Sequence, residues 1–129
     1  MKTAMIIASD AGARTAGIIR EELGKEVDLF SVSERSGCVR IDSITDFTLR
    51  HFGDYEAFVF IGAMGICVRA IAPCVTSKYA DPAVVNVDAT GHFVVSVLAG
   101  HVGGANALTE RLARILGAQA VVTTQSDNT

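Results

Sequence analysis

The stretch "AVVNVDATGHFVVSVLAGHVGGANALTERL", residues 83–112, decides how this chain folds. Two β-rich runs, "AVVNV" and "HFVVSVLA", flank Asp88-Ala89-Thr90-Gly91, a short loop that ends in glycine. This is a hairpin signal, and it predicts two antiparallel neighbours. Directly afterwards Ala105, Leu108, Leu112 and Ile115 recur at helical spacing, which predicts a helix over residues 105–116. Between strand and helix, Gly100, Gly103 and Gly104 crowd around His101, with Asn106 at the helix entrance. Ordered glycine costs backbone entropy, so the cluster needs a reason. A tight strand-to-helix turn is one; a ligand that must approach the backbone closely is the other.

Upstream, strands alternate with helices. "TAMIIA" (residues 3–8), "VDLFSV" (27–32) and "AFVFIGA" (57–63) are apolar runs of strand length. Ala16, Ile19 and Leu23 place a helix over residues 14–23, stopped at Gly24. Residues 33–37, "SERSG", read as loop. Residues 43–52 are a helix candidate with Ile44 and Phe47 on one face, and "GICVRAIAPCV" is a short helix ended near Pro73. "AQAVVTT" closes the series as a last strand. The alternation predicts an α/β, three-layer α/β/α sandwich around a mixed, mostly parallel sheet that contains the one antiparallel hairpin.

At 129 residues the chain is one domain long and can bury a core. Half of it is hydrophobic and 19% is charged, the balance of a compact globular protein. Net charge is −3, so no basic footprint for nucleic acid is present, and the absence of Trp disfavours a base-stacking platform. The most apolar segment, residues 57–75, is broken by Gly62, Gly65, Arg69 and Pro73 and does not read as a membrane span. Cys38, Cys67 and Cys74 are odd in number and form no CxxC, which suits reduced thiols in the cytoplasm. The polar tail "TTQSDNT" looks like a domain boundary, as in the first domain of a longer protein.

Ligands of α/β proteins gather in loops at the carboxyl ends of parallel strands. "SDAGA" (residues 9–13) is explained by a polar turn capping a helix as well as by anion binding. In "IGAMGICVRAIAP", Gly62 and Gly65 flank Met64 where strand meets helix, and the N–H groups there suit a carboxylate. Arg69 in that helix is either an anion clamp or a side chain snorkelling to the surface. Around His101, the uncovered backbone and the start of the next helix suit an anionic substrate. His101 is the candidate general base or hydrogen-bond donor, and Asn106 a group to orient a carbonyl. No phosphate-loop fingerprint is met. "TSKYADPAV" adds Ser77, Lys78 and Asp81; Lys78 is the only lysine of the second half and a candidate for an acidic ligand. The turns at residues 62–65 and 100–104 both follow strands, and both are expected on one sheet edge, forming one cleft.

"FIGAMGICVRAIAP" followed by "KYADPAVVNVDATGHFVVSVLAGHVGGANALTERLARILGAQAVVTTQSD" resembles the N-terminal domain of the cobalt-precorrin-5A hydrolases, the CbiG family of anaerobic cobalamin biosynthesis. The resemblance covers residues 58–127 without a break; the first 55 residues are generic α/β sequence and add little. It implies a cytoplasmic enzyme that opens the δ-lactone of a cobalt-containing tetrapyrrole and releases acetaldehyde. Middle and C-terminal domains normally follow in such proteins. The cobalt arrives within the substrate, so neither a cofactor nor a protein metal site is implied. The family pattern carries Ser before the Gly-His pair, where this chain has Ala99, so activated water is the simpler attacker. With that chemistry in view, His101 suits the base and the N–H groups of Gly103 and Gly104 suit the oxyanion. Arg69, Lys78 and the two helix starts suit the substrate's carboxylates, and Asp88 either orients His101 or merely forms its turn. The rival reading is a non-catalytic module that grips the tetrapyrrole while other domains do the chemistry.

Overall fold

The computed structural model describes residues 1–125. The elements run β1 (Thr3–Ile7), α1 (Ala13–Leu23), β2 (Val27–Ser31), β3 (Val39–Arg40), α2 (Ile44–His51), β4 (Ala57–Ile61), α3 (Met64–Ile71), β5 (Ala83–Val87), β6 (Phe93–Leu98), α4 (Ala105–Leu116) and β7 (Gln119–Val121). Among the described residues they form one sheet in the order β3-β2-β1-β4-β5-β6-β7. Every pairing is parallel except β5 with β6. The predicted mixed, mostly parallel sheet with one hairpin is therefore what forms.

Alternation along the strands sorts the core into two layers. Met5, Ile7, Val59, Ile61, Val85 and Val87 point to one face and pack with Ala16, Ile19 and Leu23 of α1 and Leu108 and Leu112 of α4. Ala4, Ile6, Phe58, Phe60 and Val84 point to the other, under Cys67, Ala70 and Ile71 of α3, with Ile44 and Phe47 of α2 packed against them. Ile19 and Leu112 are fully buried, and each such side chain stabilises the fold by about 1.5–3 kcal/mol. α2 starts where Ser43 accepts the N–H of Asp46 (3.1 Å), and α3 stops just short of Pro73.

One element differs from the sequence reading. β3 lies beyond the stretch read as loop: Val39 and Arg40 pair with Phe30 and Ser31, and both are exposed, so no apolar pattern marks them. The polar tail was expected to follow the last strand; its residues 126–129 lie outside the described residues.

The direction of β6 decides where the loops go. Val87 pairs with Val94 and Val84 with Leu98, so β6 runs back along β5 and ends beside its start. The turn at residues 99–104 therefore sits at the amino ends of the parallel strands. The turn at residues 62–65 sits at their carboxyl ends, where Gly62 donates its N–H to the Val87 carbonyl (2.8 Å). The single cleft expected from both turns does not form. Both follow strands, but the second follows the returning strand of a hairpin, and the length of β5, roughly 13 Å, separates them.

Candidate functional site

The carboxyl edge gathers Gly62, Met64, Gly65, Arg69 and Asp88. At Gly62 φ is +153°, and a Cβ would lie 2.8 Å from the Cβ of Ala8, so glycine is required by the crossing of two chain segments. Its N–H serves Val87, and its carbonyl accepts the Asn86 amide (3.2 Å). Both backbone groups are thus spent within the protein, which corrects the reading of Gly62 as a ligand donor. Met64 is partly buried and packs against the apolar core beneath α3. The Arg69 guanidinium folds back over Gly65, with Nη1 3.3 Å from where a Cβ would stand. It is exposed, and among the described residues no carboxylate pairs with it.

Asp88 is the organiser of the hairpin. Its Oδ1 accepts the N–H of His92 (2.8 Å) and of Phe93 (2.6 Å), and its Oδ2 accepts the Thr90 hydroxyl. Burial pulls its pKa up, but the Thr90 hydroxyl and the N–H groups of Phe93, His92 and Thr90 outweigh this and hold it below the usual carboxylate value. It lies on the edge opposite His101 and cannot orient that imidazole; the turn-forming reading is the correct one.

The amino edge gathers the rest. Lys78, Tyr79, Ala99, Gly100, His101, Val102 and Thr124 line a cavity of about 330 Å³. Lys78 comes from the loop before β5 and His101 from the turn after β6, so the antiparallel return that separates the two glycine turns also brings these two residues to one cavity. Tyr79, Val102 and Thr124 are absent from the sequence-derived candidates. The available signal was an aromatic residue, Tyr79, in an otherwise polar loop.

The glycine-rich turn is closely built. A Cβ on Gly103 would stand 2.5 Å from the Cβ of Ala99 and 2.9 Å from its carbonyl oxygen, so the chain crosses itself there with no space to spare. Ala99 itself takes φ +57°, the left-handed region, although it carries a side chain and is buried. Its carbonyl accepts the N–H of Ala105 (3.1 Å), and that of Gly100 accepts the N–H of Asn106 (3.0 Å). Two of the donors at the start of α4 are thus capped by the turn, which narrows what the helix start offers to an anion. For the N–H groups of Gly103 and Gly104 no backbone acceptor is found among the described residues.

Asn106 has protein partners. Its Oδ1 accepts the Ser96 hydroxyl (2.7 Å) and its Nδ2 donates to Thr124 (2.9 Å), tying β6 to the segment after β7. The expectation that it orients a substrate carbonyl gives way to a structural role. Among the described residues no group of three or more His, Cys, Asp and Glu gathers as a metal shell would require, and no helix is long and apolar enough to cross a membrane. The thiols are free: Cys67 is fully buried in the α3 layer, and burial pushes it up to about 12.

The pattern of the family described as Cobalamin synthesis G N-terminal matches residues 46–127, which include both glycine turns, Lys78 and His101. The chain belongs to the cobalamin synthesis G N-terminal family. A cobalt-precorrin-5A hydrolase of Salmonella typhimurium (strain LT2) is 57% identical over 76 residues, 59% of this chain and 22% of that protein. One from Priestia megaterium is 49% identical over 76 residues, 59% of this chain and 20% of that protein. The chain thus matches about a fifth of the length of these curated relatives. The crystal structure of a cobalamin biosynthesis protein G homolog from Sulfolobus solfataricus superposes with a TM-score of 0.69 at 28% identity, covering 94% of this chain and 36% of that one. For this cobalamin synthesis G N-terminal domain, the solved homolog extends the likeness into residues 1–45, which the family pattern leaves out.

Proposed function

We propose that this protein is a cytoplasmic cobalt-precorrin-5A hydrolase of anaerobic cobalamin biosynthesis, and that the amino-edge cavity is this domain's share of the active site. The observation that carries the reading is the meeting of Lys78 and His101 in one cavity, beside the turn at Ala99 and Gly100. Such a site holds a carboxylate-bearing tetrapyrrole by an ammonium and places an imidazole beside it. In the reaction His101 takes a proton from water as the water adds to the lactone carbonyl. On this reading the N–H groups of Gly103 and Gly104, for which no backbone acceptor is found among the described residues, are the donors proposed for the resulting oxyanion. Collapse gives a ring A carboxylate and an alcohol; loss of the alcohol proton breaks the adjoining carbon–carbon bond, acetaldehyde leaves, and the ring carbon takes up a proton to give cobalt-precorrin-5B. Cobalt travels as part of the substrate.

The test is His101→Ala in the enzyme with all its domains, followed by acetaldehyde release. A general base predicts a loss on the order of 10²–10⁴-fold in turnover with an unchanged melting temperature. Lys78→Ala is expected to raise KM and spare kcat. Equal loss of stability and activity in His101→Ala overturns the reading. A second reading, a gripping module without chemistry, is favoured by the separation of Arg69 from His101, since this domain alone assembles only part of a site. The two differ on the full enzyme: a module loses affinity but keeps saturated turnover when His101 is removed. On either reading residues 1–129 alone should release little acetaldehyde.

A further inference from the structure

The loop between α3 and β5 is built around Asp81. Its buried carboxylate accepts the N–H of Thr76 (2.9 Å), the Thr76 hydroxyl (2.8 Å) and the N–H of Ser77 (3.1 Å). The N–H groups of Ala80 and Asp81 return to the Ser77 carbonyl (3.1 and 2.9 Å), and the Tyr79 N–H bonds the Ser77 hydroxyl (3.1 Å). The loop is thus ordered by its own bonds before any ligand arrives. On this frame Tyr79 stands 72% exposed, although its ring gains by burial. Lys78 Nζ lies 5.3 Å from the ring centroid, at cation–π distance, and among the described residues it has no carboxylate partner. Val102, 61% exposed, borders the same cavity from the neighbouring turn.

We infer that residues 76–81 form a preorganised recognition loop for a flat, conjugated, carboxylate-bearing ligand: the open face of Tyr79 takes the ring system, and Lys78 a peripheral carboxylate. Shape and charge select this occupant over a protein partner. A cavity of about 330 Å³ has the size of a small-molecule site. Two large exposed hydrophobic side chains beside it, Tyr79 and Val102, are far from the patch a stable protein interface needs. An ammonium with no carboxylate partner among the described residues, in a chain of net charge −3, calls for an anion. The inference rests on the tetrapyrrole reading above and adds the residue that recognises the ring itself.

The chain has no Trp and two Tyr, of which Tyr55 is tied to Asp28 (2.8 Å), so tyrosine emission reports on Tyr79. The probe is dicyanocobyrinic acid, a corrin with free carboxylates whose absorption overlaps that emission, with citrate as a carboxylate control lacking the ring. Corrin binding should quench the emission, and citrate should not. Tyr79→Ala should weaken corrin binding on the order of tenfold by equilibrium dialysis, with citrate binding unchanged, while Tyr79→Phe stays within about twofold. Corrin affinity within twofold of wild type in Tyr79→Ala, or no corrin binding at all, overturns the loop assignment. Tyr79-dependent binding in an enzyme that releases no acetaldehyde supports the loop and overturns the hydrolase reading instead.

Discussion

The amide of Gly62 bonds the carbonyl of Val87 at 2.8 Å, which fixes the turn after β4 at the end of β5 farthest from His101. Arg69, folded over Gly65, and His101 therefore act from opposite edges of one sheet. Groups so far apart, with no shared partner, add in their effects to within about 0.3–0.5 kcal/mol. In a double-mutant cycle, Arg69→Ala and His101→Ala should be additive in kcat/KM. A coupling above about 1 kcal/mol would mean that one ligand bridges both edges, and would sink the two-edge description.

The crowding at Gly103 makes a stability prediction with its own control. Gly103→Ala drives a Cβ to 2.5 Å from Ala99 and should destabilise the protein by about 1–3 kcal/mol, as overpacking does. Gly17→Ala, in the middle of α1 with nothing within 4 Å of the new Cβ, should stabilise by about 0.4–1 kcal/mol. Urea denaturation of the two variants separates a packing demand from a general dislike of substitution. A neutral Gly103→Ala would reopen the view that this glycine serves a ligand.

Most of the elements are legible in the sequence because their apolar spacing is strong. Ala16, Ile19 and Leu23 mark α1, and Ala105, Leu108 and Leu112 mark α4 with the observed bounds. β3 is illegible because Val39 and Arg40 face solvent and carry no alternation. The site is half legible. Lys78 and His101 are visible as residues, but their meeting depends on β6 running backwards, a consequence of the hairpin that spacing alone does not display. Gly62 and Asn106 look available for a ligand in the sequence because their partners, Val87 and Asn86 for one and Ser96 and Thr124 for the other, are set by sheet order.

Asn106 should therefore behave as a structural residue. Asn106→Ala removes the bonds to Ser96 and Thr124 and leaves part-buried hydroxyls without this partner, at a cost of about 1–3 kcal/mol. Corrin affinity, corrected for the fraction folded, should not change. Calorimetry alongside equilibrium dialysis checks both halves. A drop in affinity with unchanged melting would return Asn106 to the ligand.

Cys67 gives the fold a pH dependence on the alkaline side. Burial pushes its thiol up to about 12, whereas a cysteine in an unfolded chain ionises near about 8.5. Below that unfolded value both states are protonated and the stabilisation is fully present. Above it the unfolded chain releases a proton that the folded protein keeps, so stability is lost as pH rises towards the folded value, with a slope of up to about 1.4 kcal/mol per pH unit. Cys67→Ala lowers stability at neutral pH by leaving a small cavity, yet it should flatten this slope between about pH 8.5 and 9.5. A residual slope remains from Cys74, which burial and then the charge of Asp81 also raise. Urea denaturation in reducing buffer across that range measures it. Parallel profiles for the two proteins would show that the Cys67 thiol ionises as readily folded as unfolded, against its full burial beneath α3.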